Sequence, residues 1–288
     1  MPESWFSLSR QDQAEALEFA AAKTGRPTHL LEKDIWVVWV LSALYGADVG
    51  SALTFKGGTS LSKVYRIIDR FSEDLDLTYD IRELIPDLLK DGNPIPESAS
   101  QEKKISRAVR HRLPDWIDAR VKPVITTALA NSGMDANVTL TGHDSDKLIL
   151  NYPAVKTGTG YSAPAVRLEF GARATGQPHS IQSVICDIAP EISGVHFPEA
   201  KPLVMSAERT FWEKATAAHV FCLQGRLRGQ RYSRHWFDLA AIGKTPHFEA
   251  ASTDAGLAED VARHKSIFLS KKMLTAPKLI ISQQLRVS

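Results

Sequence analysis

The stretch FKGGTSLSKVYRIIDRFSEDLDL, residues 55–77, constrains the fold more than any other part of the chain. Two adjacent glycines, Gly57 and Gly58, separate a short strand candidate, ALTF, from a run whose apolar residues recur at helical spacing. A second strand candidate, DLDLTYD, then alternates acidic and apolar residues, so that Asp74 and Asp76 share one face and the leucines face the core. This order of strand, turn, helix and acidic strand indicates an α+β fold.

The glycine turn is suited to binding phosphate. Glycines permit the close approach of a ligand and dihedral angles that other residues avoid. The amides at the start of the following helix, with the Thr59 and Ser60 hydroxyls, would suit phosphate oxygens. Lys63 lies about one turn into the helix and could also reach a phosphate, although lysines such as Lys63 and Lys56 are more often simply solvated. Two glycines before a helix are commonly plain turn chemistry, so the turn alone decides nothing.

The acidic strand supplies a candidate metal site at Asp74 and Asp76. Two neighbouring carboxylates repel each other unless a cation lies between them, and Mg²⁺ with its oxygen ligands is the natural candidate. For the pair alone, a solvated edge strand is the better interpretation; the glycine turn and helix reverse that preference. Ser72 precedes Asp74 by two positions and is expected on the same face, where it could cap, bond a carboxylate or be nucleotidylated or phosphorylated.

The remaining chain divides into two parts near Pro202. Helices are predicted over residues 9–25 and 29–46, followed by the strand-like segments NVTLTG, KLILNYPAV, APAVRLEFGA and SIQSVICDIA. Beyond Pro202 the pattern becomes helical. We therefore predict a core with N-terminal helices over residues 1–200 and an all-helical domain over residues 201–288.

Composition argues against several classes of protein. No run of eighteen apolar residues occurs, and the N-terminus has neither a basic leader nor an apolar segment, so we expect a cytoplasmic protein with no membrane partner. Cys186 and Cys222 belong to no CxxC pattern, which argues against a disulfide framework or a structural zinc site. The net charge of +2 is too small to indicate a nucleic-acid partner by itself.

The glycine turn, helix and Asp-x-Asp strand resemble the nucleotidyltransferase superfamily related to DNA polymerase beta. More narrowly, FKGGTSLSKVY and RFSEDLDL are similar to the AbiEii/MenT branch, the toxins of AbiE-type toxin–antitoxin systems. The resemblance implies a polymerase-beta-like nucleotidyltransferase core with a mixed sheet, an NTP as substrate and two Mg²⁺ ions held by Asp74 and Asp76. The spacing from Gly58 to Asp74 is slightly longer than in compact superfamily members, and an extra half-turn of helix would absorb it.

The resemblance also implies residues beyond the first motif. Superfamily members carry a third carboxylate on a neighbouring strand, for which AVRLEF offers Glu169 and VICDIA offers the poorer competitor Asp187. In the helical half, SAERTFWEKATAAH and YSRHWFDLA are similar to the later motifs of the branch, and the similarity carries over onto Glu208, Lys214, Arg234 and Asp238.

Lys214 would bring a compact ammonium group to the triphosphate, and Asp238 would hold that lysine or meet the nucleotide directly. The structural alternative for Lys214 is a surface lysine that pairs along its helix with Glu213 or Glu208. The presence of both motifs in the expected order favours the functional interpretation.

Two basic stretches bear on the acceptor of the nucleotide. KKISRAVRHRL is one; GRLRGQRYSRHW is the other, and it interleaves aromatic residues with Arg226, Arg228, Arg231 and Arg234. Such segments suit phosphate contact and base stacking, although charge runs are usually solvated faces. Beside a nucleotidyltransferase core they favour an RNA acceptor.

The resemblance further implies that this acceptor is tRNA, modified at its 3′ end by a toxin that blocks translation, and that a cognate antitoxin is a partner. Two alternatives stay open from the residues: a nucleotide- or RNA-binding regulator without transfer activity, and an enzyme that transfers the nucleotide to a protein hydroxyl or a small molecule.

Overall fold

A computed structural model of the chain describes residues 2–70, 74–141, 146–156, 163–171, 175–223 and 230–268. Within these residues the strands are β1 (Glu3–Ser4), β2 (Leu53–Lys56), β3 (Asp74–Tyr79), β4 (Asn137–Leu140), β5 (Lys147–Asn151), β6 (Ala165–Gly171), β7 (His179–Ile181), β8 (Val184–Ile185), β9 (Val195–His196), β10 (Glu199–Ala200) and β11 (Leu203–Met205). The α-helices are α1 (Arg10–Thr24), α2 (Thr28–Tyr45), α3 (Gly57–Lys63), α4 (Ile81–Leu84), α5 (Ala99–Trp116), α6 (Lys122–Asn131), α7 (Ala207–Leu223), α8 (Gln230–Ile242), α9 (Pro246–Thr253) and α10 (Ala255–Phe268).

Seven strands form one mixed sheet in the order β4-β5-β6-β3-β2-β11-β7. The acidic strand β3 lies at its centre, antiparallel to β2 and parallel to β6. Its hydrogen-bonding edges are therefore both occupied, and the solvated edge strand considered from the sequence is wrong. The mixed sheet and its accompanying helices confirm the predicted α+β fold.

One face of β3 belongs to the main apolar core, and the other carries the acids. Leu75 and Leu77 are fully buried, whereas Asp74 and Asp76 are partly exposed, which confirms the predicted alternation. The same core includes most of α2, whose side chains are nearly all buried, as its apolar composition predicted. Burial of one sheet face thus collects the polar side chains of the central strands on the other.

The N-terminal helices begin and end where local sequence predicted. Ser9 is the N-cap of α1 and accepts a hydrogen bond from the backbone N–H of Asp12, while Gly25 ends the helix in the left-handed conformation at φ +70°. Gly46 follows the last residue of α2.

The helix after the glycine turn is shorter than predicted. The sequence pattern extended it through the run TSLSKVYRIIDRF, but α3 ends at Lys63 and the backbone of Arg66 turns to φ 52°. Leu61 and Ile68 are still buried together, in a small apolar cluster with Ile242 of α8. β-Branched residues form helix weakly, and this tertiary contact outweighs the helical periodicity. The prediction that an extra half-turn of helix fills the spacing from Gly58 to Asp74 is therefore wrong.

The predicted boundary at residues 200/201 lies just before β11, which pairs with β2 and β7 in the central sheet. The helices that follow pack on one another around Trp212, Ala251, Ala258 and Val261. The division of the chain into two domains stays a prediction. No helix in the described part of the chain combines the length and the apolar character needed to cross a membrane.

Candidate active site

The glycine turn and the acidic strand meet in space. Gly57 has φ +83°, and a Cβ atom built there would lie 2.1 Å from Oδ2 of Asp76. Any side chain at position 57 would therefore overlap this carboxylate, and the left-handed backbone would strain it further. Glycine is required at this position because the backbone bend touches the acid.

The two hydroxyls of the turn have structural partners. Thr59 Oγ1 donates to the carbonyl oxygen of Asp74 at 2.7 Å, which ties α3 to the first residue of β3. Ser60 Oγ, fully buried, donates to the carbonyl oxygen of Gly57 at 3.0 Å. A phosphate would gain these hydroxyl donors only if the bonds were broken, so the backbone amides of Gly58 and its neighbours are the better phosphate donors.

Strand pairing collects three carboxylates, which we call the acid row: Asp74 and Asp76 of β3 and Glu169 of β6. Asp76 is directly opposite Glu169 in the parallel register, and Asp74 is opposite Arg167. Each flanking acid has a basic partner: Asp74 Oδ1 lies 3.1 Å from Arg167 Nη1, and Glu169 Oε1 lies 2.6 Å from the Nζ atom of Lys147 on β5. The acid row therefore lies on one face of two adjacent strands, β3 and β6.

Asp76 is the electrostatic centre of this row. Burial raises the pKa of its carboxyl to about 6; the charges of Lys56 and Lys214 act to lower it, and those of Glu169 and Asp74 add to the rise. Burial and the neighbouring negative charges disfavour the ionised form of Asp76, and a bound cation would stabilise that form.

Asp187 and Lys63 lie elsewhere in the molecule. Lys63 Nζ is 2.7 Å from Asp34 Oδ1 of α2 and 2.7 Å from Asp187 Oδ1, and only 7% of its side chain is exposed. Asp187 also binds Arg26 and donates its backbone N–H to Asp34. Of the two candidates for a third acid, only Glu169 adjoins the pair. The structure does not bring Lys63 to the acid row, because two carboxylates already bind its ammonium group.

The C-terminal helices bring a second charged pair to this face of the sheet. Lys214 Nζ of α7 lies 2.8 Å from Oδ2 of Asp238 on α8, and Asp238 is fully buried. Arg70 holds the same carboxylate in two bonds, Nε to Oδ1 at 2.9 Å and Nη2 to Oδ2 at 2.6 Å. Burial acts to raise the pKa of Asp238, but the opposing effect of Arg70 and Lys214 is larger, so the pKa lies below its ordinary value. The ammonium group of Lys214 is thereby fixed within electrostatic reach of Asp76.

The other predicted residues are placed less closely. Glu208, in the first turn of α7, pairs its Oε1 with Nδ1 of His247 at 2.6 Å. Arg234 lies half-buried in α8. Ser72, Arg226 and Arg228 lie outside the described residues, as does the side chain of Arg231.

Comparison of the sequence with known families identifies the family of this chain. A sequence profile of the family described as "Nucleotidyl transferase AbiEii toxin, Type IV TA system" matches residues 39–286, most of the chain. The chain belongs to this AbiEii family. The predicted resemblance to AbiEii/MenT toxins is confirmed. A nucleotidyltransferase toxin of a toxin–antitoxin system implies a nucleotide substrate and an antitoxin partner.

Six chains among the solved structures also match this AbiEii protein. One is MenT4, a nucleotidyltransferase toxin from Mycobacterium tuberculosis H37Rv, which is 18% identical at a TM-score of 0.42; the alignment covers 97% of this chain and 94% of that chain. Curated protein sequences contain no match.

The donor set of the acid row fits a magnesium ion. Within the described ranges, no group of three or more His, Cys, Asp or Glu side chains is placed to hold a metal. Mg²⁺ does not require such a cage, because it binds one or two protein carboxylates and completes its shell with water and substrate phosphates. Asp74 and Asp76, side by side on one strand face, supply that number of ligands.

Several charged residues near the acid row were missed from the sequence. Lys56, expected to be an ordinary solvated lysine, is the register partner of Asp76, and its Nζ lies 3.4 Å from Oε2 of Glu213. Alternation along β2 could have placed it on the acidic face. Arg209 and Glu213, four residues apart on α7, form an ion pair at 3.4 Å that helical spacing could have indicated. No motif pointed to Lys265 of α10, which acts electrostatically on Glu213.

Proposed function

We propose that this AbiEii toxin transfers a nucleoside monophosphate from an NTP to an RNA hydroxyl. The observation that supports the proposal most directly is the contact between Gly57 and the Asp76 carboxylate. It sets a turn with phosphate-binding potential against the acids that would hold the metal of the nucleotide. The family assignment supports the same chemistry.

The residues of the turn and sheet have separate roles in this proposal. Backbone amides at Gly58, Thr59 and Ser60 bind the terminal phosphates, while the two hydroxyls keep the turn in shape. Asp74 and Asp76 hold two Mg²⁺ ions, which supply charge neutralisation at the reacting phosphate when bound. Glu169 completes this acidic site or accepts the proton of the attacking hydroxyl.

The reaction is a displacement at the α-phosphorus. The acceptor hydroxyl oxygen forms a bond to the α-phosphorus, the bond from that phosphorus to the bridging oxygen breaks, and pyrophosphate leaves with the electron pair. The hydroxyl proton passes to a carboxylate of the acid row. Lys214 offsets the negative charge that develops on the phosphoryl oxygens, and Asp238 with Arg70 keeps its ammonium group in position.

The acceptor in this proposal is tRNA, modified at its 3′ end, so that translation in the cytoplasm stops. The family assignment supports a toxin, and the basic helix α5 offers a surface for RNA because Lys103, Lys104, Arg107 and Arg110 are all exposed on it. The predicted contacts of Arg226, Arg228, Arg231 and Arg234 with RNA stay predictions.

The test incubates the full chain with Mg²⁺, total tRNA and each labelled NTP in turn. We expect a labelled tRNA band with at least one nucleotide, lost with EDTA and reduced about 10³-fold by Asp76→Asn. Asp115→Asn, which removes an exposed acid of α5, is the matched control and should leave labelling unchanged. Full transfer by Asp76→Asn would refute the role of the acid row.

The same experiment separates the alternatives. A labelled protein band without labelled RNA would assign the transfer to a protein hydroxyl. Tight binding of NTP or tRNA without any labelled product would favour a regulator that has no transfer activity.

A further inference from the structure

A carboxylate next to the acid row is surrounded by more positive charge than it can neutralise. Glu213 Oε2 lies 3.4 Å from Lys56 Nζ, and its Oε1 lies 3.4 Å from Arg209 Nε. A third base, Lys265, lies on α10 four residues after Val261, which packs with Trp212 next to Glu213 on α7, and its charge acts on the same carboxylate. We call Glu213 and these three bases the Glu213 cluster. The side chains of Lys56, Arg209 and Glu213 are only 15%, 11% and 14% exposed.

The charges of the cluster do not balance. Three bases share Glu213, and Lys56 also acts on Asp76 of the acid row, so three bases still face only two acids. The surplus affects Lys265, whose pKa is lowered by burial and by the charges of Lys56 and Arg209, against the opposing effect of Glu213. Charges withdrawn from water are costly unless they are paired. A cluster of this kind is suited to a ligand that carries several negative charges.

The position of the cluster restricts the ligand. Lys56 ends β2, immediately before the glycine turn, and lies opposite Asp76 across the strand pair. Glu213 precedes Lys214, which pairs with Asp238 on the neighbouring helix. The cluster is therefore adjacent to the acid row. Its largely covered side chains suit a small anion better than the backbone of a nucleic acid, which binds to exposed basic side chains.

We infer that the Glu213 cluster binds the β- and γ-phosphates of the NTP and the pyrophosphate that leaves, with Lys265 as a phosphate-binding residue. This inference rests on the proposed function, since it names the place of the polyphosphate in the same site. A magnesium-bound polyphosphate would lie between two groups of charges, with the basic side chains of the cluster at its phosphate end and the acid row at its metal end. Glu213 reduces the repulsion among the bases before the substrate arrives.

The first test measures polyphosphate binding without transfer. Inorganic tripolyphosphate, pyrophosphate and a nucleoside monophosphate, each with Mg²⁺, are titrated calorimetrically into the full chain. Lys265→Met should weaken tripolyphosphate and pyrophosphate binding about 10- to 100-fold and change monophosphate binding little, because only the longer ligands reach the cluster. Arg263→Met is the matched control on the same helix, since Arg263 is 59% exposed. Unchanged tripolyphosphate binding by a folded Lys265→Met protein would overturn the inference.

The second test predicts an effect of the opposite sign. Glu213→Gln removes the negative charge and keeps the shape, so tripolyphosphate should bind more tightly than to the wild type, by about 10-fold. Thermal unfolding with and without tripolyphosphate gives the same information, because a ligand stabilises the folded state in proportion to its affinity. Weaker tripolyphosphate binding by Glu213→Gln would contradict an excess of positive charge.

The outcomes distinguish this inference from the proposed function. Tripolyphosphate binding that depends on Lys265, in a protein that labels no acceptor, would support the cluster and reject the transfer reaction. Labelled tRNA from wild type, combined with an unchanged KM for NTP in Lys265→Met, would support the transfer reaction and reject the cluster.

Discussion

Two groups of buried basic residues in this molecule differ in their balance of charge. In the Lys63 network, Lys63 lies between Asp34 and Asp187, and Arg26 binds Asp187 and the exposed Asp69, so two bases meet three acids. In the Glu213 cluster, three bases meet one acid. Both groups attach helices to the region of the glycine turn, but only the second leaves positive charge over.

The difference separates a structural ion-pair group from a ligand site. In the Lys63 network, burial acts to lower the pKa of Lys63, and the two acids raise it above its ordinary value. That network is complete without a ligand, and it fixes the end of α3 against α2. In the inference proposed above, the Glu213 cluster gains its missing negative charge from a bound polyphosphate. Burial of a lysine therefore says little about its role until the neighbouring charges are counted.

The largest effect is expected from breaking the Lys63 network. Lys63→Met leaves the buried carboxylate of Asp34 without its ammonium partner and Asp187 with Arg26 alone, and removing one member of a buried ion pair costs about 3–5 kcal/mol of the free energy of unfolding. Urea denaturation near neutral pH measures this loss. Lys23→Met is the control, because the Lys23–Glu191 pair is exposed and contributes about 1 kcal/mol or less. Equal small losses in both variants would show that Lys63 has no anchoring role.

The second effect should appear in activity and little in stability. Lys214→Met removes the ammonium group near Asp76, and we expect nucleotide transfer to fall about 10²- to 10³-fold, equivalent to about 2.7–4 kcal/mol. Arg70 still binds Asp238 through both of its oxygens, so unfolding should change by only about 1 kcal/mol. Lys214→Arg keeps the charge and should recover part of the activity. Unchanged activity in Lys214→Met, with a large loss of stability, would class Lys214 with Lys63.

Much of the acidic strand could be predicted because its information is local. Alternation along β3 fixed which side of the strand Asp74 and Asp76 occupy, and the same rule separated Glu169 from the apolar side chains of β6, while its place beside Asp76 was implied by the family resemblance. The caps of α1 were equally readable from Ser9 and Gly25. Each of these features depends on residues that are neighbours in sequence.

The rest depends on contacts between distant segments. The end of α3 was mispredicted because Ile68 packs on Ile242, far along the chain. Lys63 was assigned to phosphate from its helical position, and its partners Asp34 and Asp187 belong to elements on either side of it in sequence. Lys265 stands in a helix without a motif. Charge balance in a folded site cannot be counted before these elements are brought together.

The smallest effect concerns the Glu213 carboxylate and is expected to depend on pH. Lys56, Lys265 and Arg209 outweigh the effect of burial and lower the pKa of Glu213 from 4.5 to about 2. An acid whose pKa is lower in the folded state stabilises the protein above its unfolded pKa and loses that contribution as the pH falls. The free energy of unfolding of wild type should therefore exceed that of Glu213→Gln by about 2–3 kcal/mol at neutral pH. This difference should shrink as the pH falls from about 4.5 to 2.

Urea denaturation of both proteins across this pH range, without phosphate in the buffer, measures that difference. Adding tripolyphosphate at neutral pH should narrow it, since the ligand supplies the negative charge that the glutamine lacks. The corresponding comparison of wild type with Lys63→Met should not respond to tripolyphosphate, because the excess negative charge left there would repel an anion. A gap between wild type and Glu213→Gln that ignored both pH and tripolyphosphate would mean that Glu213 acts through packing, and the contrast between the two charge groups would lose its physical basis.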